Sequence, residues 1–180
     1  MDIKPGWSGR FFEDFEVGDV YSHPLGRTVT QTDNIWFTLL TQNTNPIHFD
    51  SVYAAKTEFQ KPLVDSTFTL ALVTGQSVTD ISQNVMANLG WGDIRLPNPV
   101  FEGDTIYSYS TVLEKRVSKS RPNVGIVKVK TIGYNQDNKI IISFERTFMV
   151  YKKEYAPKLP GNRTLSELPK ESTSTTSGRR

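Results

Sequence analysis

The sequence predicts one α+β domain, with a curved antiparallel sheet wrapped around a long central helix. Three observations point there. Residues 66 to 79 read as one helix that is apolar on most of its circumference to about Val73. A helix buried nearly all round needs a sheet curved about it. From residue 84 onward the hydrophobic period changes to two, the mark of strands, and short strand-like stretches also precede the first helix. A chain of 180 residues can bury one sizeable core.

The elements follow in order. Residues 6 to 24 mix aromatics (Trp7, Phe11, Phe12, Phe15) with the turn formers Gly18 and Asp19. They read as an irregular opening segment and a short strand near Val20-Tyr21-Ser22. His23 precedes Pro24 and is read as a loop residue. Thr28-Val29-Thr30-Gln31 is a second short strand. Thr32 or Asp33 then caps a helix whose Ile35, Trp36, Leu39 and Leu40 recur at helical spacing and are expected to face a core. That helix must end before Pro46. Asp50 or Ser51 can cap a short helix through Val52-Tyr53-Ala54-Ala55, and Asp65-Ser66-Thr67 opens the long one.

Asn84 to Leu89 and Ile94 to Phe101 are expected as two strands broken by Gly90 and Gly92. Thr105 to Glu114, residues 124 to 134 and residues 139 to 151 complete a meander. In the last, Ile140, Ile142, Phe144, Phe148 and Val150 share a face with Arg146 as the odd member. Asn135-Gln136-Asp137-Asn138 is a hairpin turn. Residues 1–156 are therefore read as the domain. Residues 157–180, with Pro157, Pro160, Pro169 and a Ser/Thr run, are read as a polar tail, packed as far as Leu168 and disordered beyond.

Composition excludes several function classes. A net charge of +2 is too small for a nucleic-acid footprint. No apolar run approaches the roughly 18 residues of a membrane span. The absence of cysteine removes disulfides and thiol catalysis, and two separated histidines make a poor zinc set, so no metal is expected. The N-terminus lacks the apolar core of a signal peptide, which leaves the cytoplasm as the expected location.

The chemically dense stretch is Thr41-Gln42-Asn43-Thr44-Asn45-Pro46-Ile47-His48-Phe49-Asp50. Pro46 stiffens the backbone just before His48, and an imidazole on a stiff polar turn suits proton transfer. Free N–H groups at the start of the long helix could stabilise an oxyanion, unless Asp65 or Ser66 caps them; both roles can coexist. Asp50 is read first as a helix cap.

Four pieces of text resemble one family. Phe12-Glu13-Asp14-Phe15-Glu16-Val17-Gly18-Asp19 is similar to the opening of MaoC-like, (R)-specific enoyl-CoA hydratases of the hot-dog fold. Gln42-Asn43-Thr44-Asn45-Pro46-Ile47-His48 is similar to their Gly-Asp-x-Asn-Pro-(Leu/Ile/Val)-His motif. Pro99-Val100-Phe101-Glu102-Gly103-Asp104-Thr105 and Asn135-Gln136-Asp137 match a turn and a hairpin of the family. The resemblance spans about residues 11 to 151. Leu89-Gly90-Trp91, Ser120-Arg121-Pro122 and an amide at position 43 resemble the mesaconyl-CoA (2-methylfumaryl-CoA) and itaconyl-CoA hydratase subgroup.

The resemblance implies reversible hydration of an enoyl-CoA, and its subgroup a branched dicarboxylyl-CoA such as mesaconyl-CoA, without a cofactor beyond the CoA of the substrate. It implies catalytic roles for His48, Asn43, Asp65 and Ser66, and substrate contacts from Asn45, Thr67 and Arg95. Asn43 stands where the family has its catalytic Asp, and an amide can position a water but cannot take its proton. Asp65-Ser66 stands where the family often has His-Gly, bringing in a new carboxylate. Asp50 or Asp65 is thus the candidate for the missing charge. Lys115, Arg116, Lys119 and Arg121 are candidates for the CoA phosphates. A thioesterase and a non-catalytic acyl-CoA-binding protein are the alternatives. Exposed sheet edges favour a homodimer or a higher homo-oligomer.

Overall fold

The structure is a computed structural model that describes residues 3–4, 6–159, 161, 163 and 165–169. The described residues fall into two compact units. One is residues 9–156. The other gathers the described residues before 9 and after 156, with a short 3-10 turn at Leu165–Glu167. The expected disorder over 170–180 lies outside the described residues. Among the described residues no helix is long and apolar enough to cross a membrane.

The larger unit is a five-stranded antiparallel sheet with helices: β1 (Val20–Thr28), α1 (Gln31–Thr41), α2 (Ser51–Ala54), α3 (Ser66–Gln76), β2 (Val85–Arg95), β3 (Thr105–Val117), β4 (Val124–Tyr134) and β5 (Ile140–Tyr151). The strand order is β1-β3-β4-β5-β2, so β1 and β2 are the edges. Helix α3 packs against β1, β3 and β4, the α+β arrangement that the sequence predicts. The Asn135 hairpin is also as expected. The Asn135 side chain accepts from the N–H groups of Asp137 and Lys139, and Asn138 takes a left-handed backbone.

Six expectations are corrected. The first strand does not stop at Ser22: β1 runs through Pro24 to Thr28, because an edge strand can spare the N–H that proline lacks. His23 is therefore a buried strand residue rather than a loop residue. Helix α1 is capped by Thr30, whose side chain accepts from the Asp33 N–H while Asp33 reciprocates, a capping box two residues ahead of the expected start. Its Trp36, Leu39 and Leu40 are 60%, 71% and 75% exposed, and the residues it buries are Asn34 and Thr38. Helix α3 is shorter than expected and buried on one side only, with Ser66, Thr67, Ala71 and Gly75 open. Gly90 and Gly92 do not break a strand; β2 runs through both and absorbs them as register shifts against β5.

The core comes in two apolar clusters. One gathers Phe15, Ile81, Val112, Val129 and Phe148. The other gathers Val73, Val100, Ile106, Ile142 and Phe144. Between them runs a polar row across the inner face: His23 on β1, Ser108 and Ser110 on β3, Thr131 on β4 and Arg146 on β5, all buried. Strand register places Ser110 opposite Thr131 and Val129 opposite Arg146. The His23 Nδ1–H donates to Asp80 at 2.8 Å, and its Nε2 accepts from Ser110 at 2.9 Å. Arg146 is 4% exposed, and its Nε and Nη2 find no partner among the described residues.

Candidate functional site

The site forms where the turn after α1 meets the start of α3. Gln42 takes a left-handed conformation at the end of α1, and the Asn43 N–H bonds back to the Thr38 carbonyl at 2.9 Å. The chain reverses, and Asn45 caps a 3-10 turn over Pro46–His48 by accepting from the Ile47 N–H at 3.2 Å. Proline at the first position of that turn costs no hydrogen bond. His48 is thus delivered on a stiff loop, as the sequence predicts.

The imidazole is fixed by what it touches. Its Nδ1 lies 2.8 Å from the Leu63 carbonyl oxygen. A carbonyl only accepts, so the proton sits on Nδ1 and the Nε2 lone pair is left available. Leu63 is itself held: its N–H donates to the Ile47 carbonyl at 3.0 Å, and it bridges to Phe101.

Asp65 caps α3. One carboxylate oxygen accepts from the Thr67 N–H at 2.6 Å, the Thr67 hydroxyl at 2.5 Å and the Phe68 N–H at 3.2 Å. The other accepts from the Asn43 amide at 2.5 Å. Burial pushes this carboxyl up, but the hydrogen bonds from Thr67, Asn43 and Phe68 outweigh it and hold the group below the usual carboxylate range. Asp65 is therefore an anion. The cap uses the Thr67 and Phe68 N–H groups, the capping alternative that the sequence offers. The Ser66 N–H is the helix-start donor with no acceptor among the described residues.

Asn34 ties these pieces together. Its amide donates to the His48 carbonyl at 2.7 Å and the Leu63 carbonyl at 3.0 Å, while its oxygen accepts from the Asp65 N–H at 2.9 Å. Sequence reasoning missed this residue. The signal was there: Asn34 and Thr38 lie four apart on one face of a helix.

Thr41, Asn43, His48, Asp65, Ser66 and Thr67 line a cavity of about 470 Å³. A second chamber of about 230 Å³ shares Ser66 and runs along Leu63, Val64, Thr69, Leu96 and Val100. A third hollow, about 660 Å³, is also lined by Asn43, with Ile35, Leu39 and Phe49.

Five of the candidate residues therefore meet: His48, Asn43, Asp65, Ser66 and Thr67. Asn45 does not line the cavity, because its side chain is spent as a cap. Arg95 lies at the end of β2, largely exposed and paired with Asp93 at 2.9 Å. Asp50 caps α2 through the Val52 and Tyr53 N–H groups, as first read, and is absent from the cavity wall. The basic residues from Lys115 to Arg121 lie at the far end of β3, a strand of 13 residues and about 40 Å.

Comparison with known proteins places the chain in a family and a fold. The family model described as mesaconyl-CoA hydratase matches residues 5–177. A mesaconyl-CoA hydratase from Cereibacter sphaeroides is 34% identical over 161 residues, which is 89% of this chain and 46% of the relative. The solved structure of a MaoC-domain dehydratase from Chloroflexus aurantiacus superposes with a TM-score of 0.80 at 30% identity, covering 88% of this chain and 45% of that one. A Mycobacterium tuberculosis protein described as a double hotdog fold superposes at 0.75, with 22% identity over 84% of this chain and 47% of that one, and speaks for the fold alone. The chain spans about half the length of these relatives. A match along nearly the whole sequence, on a hot-dog domain, establishes that the chain belongs to the mesaconyl-CoA hydratase family.

Proposed function

We propose that this chain adds water reversibly across the 2,3-double bond of an enoyl-CoA, with a branched dicarboxylyl-CoA of the mesaconyl type as substrate. The observation that carries the reading is the fixed tautomer of His48, with Nδ1 spent on Leu63 and Nε2 left as the base of a cavity that also holds Asp65 and Asn43. In the hydration direction, Asn43 positions the water and Nε2 removes its proton as the oxygen attacks C3. The enolate oxygen is met by the Ser66 N–H. The imidazolium then returns the proton to C2, so one water is consumed and none of the protein's protons is lost. Asp65 supplies the negative charge that favours the transient imidazolium. Coenzyme A enters as part of the substrate, and no other cofactor is invoked.

We further propose that the working form is a homodimer. The exposed Trp36, Leu39 and Leu40 and the two sheet edges support this.

The test is loss of enoyl-thioester absorbance with crotonyl-CoA and mesaconyl-CoA, followed alongside release of free thiol. His48→Ala should lower hydration by about 10²–10⁴-fold with the fold intact. Wild-type turnover in that variant would end the assignment, and thiol release in place of hydration would make the protein a thioesterase.

A further inference from the structure

The cavity around His48 and the smaller chamber share Ser66, which makes the chamber the candidate place for the acyl end of a thioester bound in the first. The chamber wall is largely hydrocarbon, from residues such as Leu63, Val64, Leu96 and Val100, and no charged side chain lines it. An ionised carboxylate carried into such a place is costly unless a cation meets it.

Two cations flank the lining segments. Arg95 precedes Leu96, but its guanidinium is already paired with Asp93. Lys61 stands two residues before Leu63. Its Nζ lies 4.2 Å from the centroid of the Phe101 ring, Phe101 packs on Phe59 at 6.4 Å, and Phe59 lines the chamber. Among the described residues no carboxylate pairs with Lys61. An ammonium resting on an aromatic face is weakly held, and its four-carbon stem lets it swing to an anion.

We infer that Lys61 docks the second carboxylate of a branched dicarboxylyl thioester at the chamber mouth, and so sets a preference for acidic over neutral acyl groups. The inference rests on the acyl-CoA reading above for the class of substrate, though not for its chemistry.

Calorimetric titration with two saturated, unreactive thioesters tests it: methylsuccinyl-CoA, which carries the second carboxylate, and butyryl-CoA, which does not. Wild-type protein should prefer methylsuccinyl-CoA. Lys61→Gln should weaken that ligand about tenfold, the loss of one charge-assisted contact. Butyryl-CoA should be little changed, and Lys61→Arg should restore most of the affinity. Equal weakening of both ligands would move Lys61 to the CoA phosphates and overturn the inference. So would no weakening of either, or a wild type without the preference. Hydration of crotonyl-CoA and mesaconyl-CoA is scored separately; its failure counts against the hydratase reading and leaves the titration valid.

Discussion

The side-chain amide of Asn43 donates to the carboxylate of Asp65 across 2.5 Å, joining the turn after α1 to the first turn of α3. One bond thus couples the residue proposed to hold the water to the residue proposed to hold the charge. It also explains how an amide came to be tolerated at position 43: a carboxylate there would face a second carboxylate at the same distance, and one of the two would be forced to keep a proton.

Cap and charge at Asp65 can be separated. Asn caps a helix about as well as Asp. Asp65→Asn should therefore unfold in urea close to wild type while hydrating at least about 10²-fold more slowly. Asp65→Ala loses the cap too and should be about 1 kcal/mol less stable. Rates from thioester absorbance and midpoints from urea unfolding check both.

Acid should destabilise the protein through His23. Burial holds this imidazole below its ordinary value, against the pull of the Asp80 carboxylate and with the positive charges of Arg146 and Arg10 adding to the effect. An unfolded histidine titrates near 6.5, so the unfolded chain takes the proton first. The stability from neutral His23 is complete above about pH 6.5 and drains away as pH falls from there. Thermal unfolding from about pH 8 to 5 should show a falling Tm, and His23→Gln should flatten the slope in that window.

Arg146 should cost its own core stability. Burial pulls its guanidinium down to about 10, still charged at neutral pH, and two of its nitrogens lack partners among the described residues. Arg146→Met keeps the length of the side chain without the charge and should stabilise by about 1–3 kcal/mol in urea unfolding. It should also soften the acid sensitivity of His23, because one of the nearby positive charges is gone.

The outer face of α1 is the place to test self-association. Trp36→Lys with Leu40→Lys puts charge on residues that are already open in the single chain, so folding should be spared. Sedimentation should show the homodimer falling to monomer.

Much of this was legible in the sequence. The turn from Asn43 to His48 was found because proline and a capping amide dictate its shape whatever surrounds them, and β4 and β5 were found because their alternation is long and regular. What failed were inferences about direction. Ile35, Trp36, Leu39 and Leu40 announced a helix correctly, yet periodicity cannot say whether an apolar stripe meets the chain's own core or stays open. His23 was misread because Pro24 marks a loop in the middle of a sheet but not on an edge. The capping of Thr67 and Phe68 by Asp65 is legible in the sequence, because Asp just before a helical run is a cap. Its bond to Asn43 was not visible, since nothing in the sequence reports contact across 22 positions.

Asn34 never reaches the cavity, yet its single carboxamide clasps the backbone at His48, Leu63 and Asp65. Damage there would not look like damage. Leucine at this position would satisfy every rule about greasy helix faces, and would release three segments of the candidate site at one stroke. For chains of this family, the silent failures are to be sought one layer behind the reacting groups, where a change toward hydrocarbon passes for an improvement.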